Sequence, residues 1–193
     1  MLTFNQISIE DFLSSSGTFI DVRSPLEFSK GHILNAINIP LFDDKQREEI
    51  GTIYKKQGSE IAIQVGFKYA SKKFPDFLNK VKSITSPLKI YCARGGMRSQ
   101  SMANFFSKHN YQCLSLKKGY KRYRNHILHK LTQPLKIIIL GGSTGCGKTQ
   151  ILQILKKQHC QVVDLENLAK HRGSSFGHLP NIPQPSNEQF ENL

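Results

Sequence analysis

Two glycine-bearing loops in this chain are built to hold oxyanions, and one of them begins with a cysteine. The first is Cys92, Ala93, Arg94, Gly95, Gly96, Met97 and Arg98, directly after the apolar run 88–91. The second is Gly142, Ser143, Thr144, Gly145, Cys146, Gly147, Lys148 and Thr149, directly after the apolar run 135–140. In both, an expected strand leads in and an expected helix leads out. Such a turn aims backbone N–H groups and a helix N-terminus at one point, where an anion is held. A sulfur nucleophile in one cradle and a phosphate grip in the other point to sulfur-type group transfer joined to a phosphorylated ligand.

In the first loop, amides that follow Cys92 can curl toward its Sγ and favour thiolate over thiol, with Arg94 and Arg98 adding positive charge. Gly95 and Gly96 permit the tight backbone path. The competing reading is a buried core cysteine, since free cysteine packs well. Two glycines and two arginines immediately after it favour the reactive one. The second loop fits the full G-x-x-x-x-G-K-[ST] pattern. Its amides would cradle phosphate, Lys148 would reach the terminal phosphates, and Thr149 could serve a magnesium ion. Cys146 reads as a tolerated small residue. Asp164 and Glu166 either order magnesium or water, or cap the next helix.

The elements that must position these loops alternate between strand and helix. Helical spacing is expected over 8–13, 44–56, 59–72, 77–84, 97–109, 119–131 and 149–157. Strands are expected over 18–22, 36–39, 88–91, 111–116, 135–140 and 161–165, with turns at Ser24-Pro25 and Gly31-His32. The alternation implies a mainly parallel α/β sheet covered on both faces. Gln133-Pro134 marks a boundary between a unit over 1–131 and a second over 132–193. The second has about sixty residues, against the ~100–150 of a common domain, and is expected to be an incomplete P-loop α/β domain.

The net charge of +13 is segregated. Residues 77–163 hold 16 of the 27 Lys and Arg and no Asp or Glu, and both loops lie within them. Such a field attracts polyanions and favours nucleic acid as the partner. In the helix over 119–131 and the two residues before it, Lys117, Lys118, Lys121, Arg122 and Arg124 interleave with Tyr120 and Tyr123. Cations there could hold an RNA backbone while the rings stack on unpaired bases; the alternative is a solvated linker helix. Four cysteines without a C-x-x-C pair argue against both a metal site and a disulfide framework. No apolar stretch is long enough to span a membrane, and the N-terminus does not read as a secretory signal. A cytoplasmic location is expected.

The stretch Tyr91-Cys92-Ala93-Arg94-Gly95-Gly96-Met97-Arg98-Ser99 resembles the active-site loop of rhodanese-type sulfurtransferases. So do Asp21-Val-Arg-Ser-Pro-Leu-Glu-Phe28, Gly31-His32-Ile33 and the run 36–40 upstream. That resemblance implies a rhodanese-like fold in which Asp21 and Arg23 are structural pins, while His32 reads as a turn residue. With the P-loop, the runs 37–58, 117–128, 162–177 and 184–192 narrow the resemblance to the tRNA 2-selenouridine synthases. This family implies a wobble 2-thiouridine in tRNA as substrate, geranylated with geranyl diphosphate and then converted with selenophosphate to 2-selenouridine. A diphosphate leaving group suits the P-loop, and the Cys92 thiolate is expected to carry the selenium as a perselenide. Ala93 stands where a bulky aromatic often follows the cysteine in this family. The incomplete second unit leaves the activity of a chain this short open. The alternatives are a plain rhodanese-type sulfurtransferase, a non-catalytic tRNA- or nucleotide-binding piece and, more weakly, a P-loop kinase or NTPase.

Overall fold

The computed structural model describes residues 4–143, 145–173 and 177–193. In chain order the elements are β1 (Asn5–Ile7), α1 (Ile9–Ser14), β2 (Thr18–Asp21), α2 (Pro25–Lys30), β3 (Ile37–Asn38), α3 (Asp44–Gln57), α4 (Ser59–Ser71) and α5 (Phe74–Val81). Then come β4 (Leu88–Tyr91), α6 (Met97–Lys108), β5 (Cys113–Leu116), α7 (Gly119–Leu131), α8 (Lys148–Lys157), α9 (Leu165–Ala169) and α10 (Asn187–Asn192). The five strands form one parallel sheet in the order β1-β5-β4-β2-β3. A parallel sheet buries both faces of its central strands, whereas the short edge strands β1 and β3 are largely exposed.

β4 lies at the centre, with all four residues buried. Alternation along it sends Leu88, Ile90 and then Cys92 into one core, shared with Ile20, Val22, Phe77, Met102 and Phe106. Tyr91 points to the other core, with Ile9, Phe12, Leu116, Tyr120 and Tyr123. The period of two thus sets the side of the sheet to which Cys92 belongs. Helix signals are equally local. Ser24 and Glu27 make a reciprocal capping box on α2, and Asp43 and Gln46 make one on α3. The Ser24-Pro25 signal therefore opens a helix over 25–30, where only turns were expected.

The expected strands over 135–140 and 161–165 do not form. Ile137, Ile138 and Ile139 are 70%, 101% and 82% exposed, and no described strand lies beside them. An apolar run becomes a strand only where a neighbour takes its backbone hydrogen bonds, and none does here. Beyond residue 134 the regular structure among the described residues is α8, α9 and α10, with a single bridge between His171 and His178; the remainder is loop and turn. α10 packs on α7 of the first unit. No helix among the described residues is long and apolar enough to cross a membrane.

Candidate functional site

Cys92 follows the last residue of β4, where the chain leaves the sheet for the loop that enters α6. Its side chain is nearly buried, at 3% exposure. Sγ lies 3.2 Å from Ser99 Oγ and donates toward the Gly96 carbonyl at 4.0 Å; Ser99 Oγ also reaches that carbonyl at 3.1 Å. Among the described residues, no main-chain amide hydrogen-bonds to the sulfur. The expected ring of amides is thus replaced by a hydroxyl and a carbonyl. What the loop does supply is the start of α6. Gly96 is its N-cap and gives no side-chain cap, so the first-turn amides are left for a ligand beside the sulfur.

Ser99 was not singled out from the sequence. It lies seven residues after Cys92, and the signal was its place in the first turn of the helix that the loop enters. Arg98, expected to add charge at the sulfur, turns instead to Glu27 of α2, with contacts of 2.6 and 3.3 Å. Burial would raise the Glu27 carboxyl, but the Arg98 hydrogen bond and charge, with the Ser24 amide, hold it below the usual carboxylate range. The tie therefore persists through ordinary carboxylate titration and lets go only at lower pH. Arg94 and Met97 are exposed, and Gly96 is open to solvent.

The loop is fixed from behind by the β5–α7 turn. The first amides of α7 donate to its carbonyls, Tyr120 N–H to Cys92 at 2.8 Å and Lys121 N–H to Ala93 at 3.0 Å. Gln6 and Gln100 both donate to the Gly95 carbonyl at 3.2 Å. Gly95 and Gly119 both have positive φ, +65° and +57°. A Cβ on Gly119 would run into the Cys92 carbonyl and into the amides of Gly95 and Arg94. Gly119→Ala is accordingly expected to displace the loop, lowering stability by about 2 kcal/mol and, by uncovering the nearly buried sulfur, raising the rate of Cys92 alkylation by iodoacetamide at least severalfold. Denaturant titration and timed alkylation check the two effects.

Beneath the loop, Arg23 grips Asp21 through Nε and a terminal nitrogen, the shortest contact being 2.6 Å, and both side chains are almost fully buried. Desolvation opposes the Arg23 charge, but the Asp21 hydrogen bonds and charge overcome it and hold the guanidinium pKa above its ordinary value. Arg23 also donates to the Gly31 carbonyl at 2.6 Å and stacks 3.8 Å above the Tyr120 ring. Asp21 and Arg23 are pins, as expected. His32 is a turn residue, its ring stacked on Phe28 and its Nδ1 3.0 Å from the Phe28 carbonyl.

The basic helix divides. Lys117, Lys118, Lys121 and Arg122 are exposed, but Tyr120 and Tyr123 are 6% and 4% exposed and belong to the core. The expectation that they stack on RNA bases is overturned, because helical spacing turns both rings onto the sheet. Arg124 is engaged by Glu191 and Asn192 of α10.

In the phosphate loop, Gly142, Gly145 and Gly147 all have positive φ, and α8 begins at Lys148, followed by Thr149. Thr144 lies outside the described residues. Lys148 Nζ donates to the carbonyls of Gly142 and Ser143, each at 2.8 Å, and lies 3.9 Å from Cys146 Sγ. Asp164 caps α9 by accepting from the Asn167 amide at 3.0 Å, which favours the capping role over magnesium. No group of three or more His, Cys, Asp or Glu among the described residues could hold a metal ion.

Comparison with known proteins matches both halves. A rhodanese-like domain covers residues 8–126, and a tRNA 2-selenouridine synthase AAA domain covers residues 135–193. The tRNA 2-selenouridine synthase of Nitrosomonas europaea is 36% identical over 184 residues, and that of Shewanella denitrificans 40% over 182. Each match takes in 90% of this chain but 46% and 48% of the relative, so the chain spans about half the length of the curated relatives it matches. A crystal structure of the N-terminal domain of a Clostridium difficile 630 protein superposes with a TM-score of 0.61 at 44% identity, covering 64% of this chain and 99% of that one. The chain therefore belongs to the rhodanese-like family and, with the AAA-type segment that follows, is a homologue of the tRNA 2-selenouridine synthases.

Proposed function

We propose that this chain carries the chalcogen-exchange centre of a tRNA 2-selenouridine synthase, a transferase acting on wobble 2-thiouridine in tRNA. The observation that carries this reading is the Cys92 sulfur beside the uncapped start of α6, in a chain that also holds a complete P-loop sequence. In the first step, the thiouridine sulfur attacks geranyl diphosphate. A C–S bond forms, the C–O bond breaks, and diphosphate leaves onto the P-loop amides and Lys148, with magnesium able to share its charge through Thr149.

The second step exchanges sulfur for selenium at C2 of the base. Selenium in selenophosphate is already fully reduced, so a perselenide on Cys92 made from it would need an oxidant. A balanced order avoids that need. Cys92 Sγ attacks C2, its proton passing to the departing sulfur so that geranylthiol leaves as the C2–S bond breaks; the selenium of selenophosphate then attacks C2 and displaces Cys92; water takes the phosphoryl group as the P–Se bond breaks, releasing phosphate and 2-selenouridine. Nucleoside mass spectrometry of 2-thiouridine tRNA given geranyl diphosphate and selenophosphate tests the reading. S-geranyl and then 2-selenouridine are expected, and an unmodified base would sink it.

Lys148→Ala is expected to weaken geranyl diphosphate binding at least tenfold, read by calorimetry, because the loop loses its one mobile cation. A binding constant equal to that of the unaltered chain would remove the P-loop from the reaction. A second reading, sulfur transfer from thiosulfate by the rhodanese-like unit alone, is favoured by one observation. That unit has a closed core, whereas the run 135–140 is unpaired. Cyanide-dependent thiocyanate formation without tRNA would support it.

A further inference from the structure

The C-terminal residues 186–192, which match the family but have no role in the steps above, close one wall of a cleft beside Cys92. The docking is specific. Gln189 accepts from the His32 amide at 2.7 Å and Asn192 donates to the His32 carbonyl at 3.2 Å, so one helix takes both backbone groups of a single residue. Asn192 also donates to Tyr120 Oη at 2.8 Å, and that hydroxyl donates to Glu188 at 2.7 Å. Ser186 Oγ donates to the Lys30 carbonyl. Gln189 and Asn192 are buried by these contacts, at 8% and 6% exposure.

The cleft so formed has a volume of about 320 Å3 and is lined from α2, the Cys92 loop, α7 and α10. Its lining charges fall into two groups. Arg23 is matched by Asp21, Glu27 by Arg98, and Arg124 by Glu191. Lys30, Arg94 and Lys121 are exposed and have no ion-pair partner among the described residues. The Glu188 carboxylate and the Asn125 side chain line the same cleft, Asn125 one turn along α7 from Lys121. Three cations select a phosphate, but a carboxylate in the same cleft repels a bare one. A ligand uses both only if it carries hydrogen-bond donors together with its phosphate. The volume, at the low end for small-molecule sites, is far more than a phosphate alone needs.

We propose that this cleft seats one nucleotide of RNA next to the nucleotide presented to Cys92. Lys30, Arg94 and Lys121 hold its phosphodiester, and Glu188 and Asn125 receive the ribose or base donors. The proposal rests on the tRNA reading and adds to it a specific seat that α10 completes. It also gives Glu188 a role that charge alone does not predict.

The test is tRNA binding by fluorescence anisotropy across a salt series, with circular dichroism melts to confirm folding. Lys30→Ala with Lys121→Ala is expected to raise Kd about tenfold and to reduce the steepness of log K against log salt by about 1. Lys55→Ala with Lys56→Ala removes the same charge from α3 and is expected to do neither. Glu188→Gln keeps an acceptor for Tyr120 and removes a negative charge. It is expected to weaken binding about threefold, whereas tighter binding would show that Glu188 only repels RNA and would overturn the seat. A salt slope no different from that of the α3 control would also overturn it, with the tRNA reading intact. No tRNA binding by the unaltered chain would overturn both. Inorganic phosphate binding that the Lys30/Lys121 variant loses, with tRNA affinity unchanged, would assign the cleft to a small phosphate and overturn the RNA proposal.

Discussion

Cys92→Ser is expected to lower chalcogen exchange at uridine by at least about 10³-fold while leaving the fold intact. Oxygen is a far poorer nucleophile than sulfur at neutral pH, and the loop holds no base strong enough to make up the difference. The neighbours of the sulfur are Ser99 Oγ and the Gly96 carbonyl. Both can bond a hydroxyl as readily as a thiol, so the stability change should stay within about 1 kcal/mol. The assay is nucleoside mass spectrometry on tRNA already S-geranylated, which isolates the exchange from the P-loop step. Intact-protein mass should show a nucleotide adduct on Cys92 when selenophosphate is withheld. Undiminished 2-selenouridine from the serine variant would remove Cys92 from the mechanism. Cys146→Ser, in the exposed P-loop, is expected to leave the exchange unchanged.

Asp21→Ala is expected to cost about 3–5 kcal/mol in denaturant-measured stability, the usual penalty for leaving one buried charge unpaired. Asp21 is fully buried and Arg23 nearly so, at 0% and 4% exposure. With Asp21 gone, the guanidinium keeps the Gly31 carbonyl and the Tyr120 ring. A neutral carbonyl and a ring face do not replace a bidentate carboxylate. Removing both charges, as Asp21→Ala with Arg23→Met, should recover part of that loss, since no charge is then left in the interior. A single-variant loss under about 1 kcal/mol would show that water reaches the pair. Because Arg23 stacks on Tyr120, whose backbone N–H holds the Cys92 carbonyl, the destabilised variant should also show faster Cys92 alkylation, since the nearly buried sulfur opens to reagent more often.

Much of the first unit was legible locally. β4 and α7 are found over the residues expected, because an apolar four-residue run and a helical aromatic spacing are strong signals. α2 was hidden because Ser and Pro mark helix starts as well as turns. β1 was missed because three residues, two of them polar, show no alternation. The run 135–140 failed in the opposite direction: its apolar pattern was plain, but pattern does not supply a neighbouring strand.

The site followed the same division. The Cys92 loop, its glycines and the P-loop were readable because backbone geometry demands those residue types at those spacings. The fate of each charge was not. Arg98 and Arg124 have partners more than sixty residues away, in Glu27 and Glu191, and Tyr120 and Tyr123 turn inward where recognition by stacking was expected. By itself the sequence determined which groups can react and which loops can hold anions, since these depend on side-chain chemistry and short-range backbone conformation. Only the tertiary structure decided which cations remain unpaired in the cleft next to the Cys92 loop and that α10 forms one of its walls, because electrostatic pairing and burial depend on distance in space rather than along the chain.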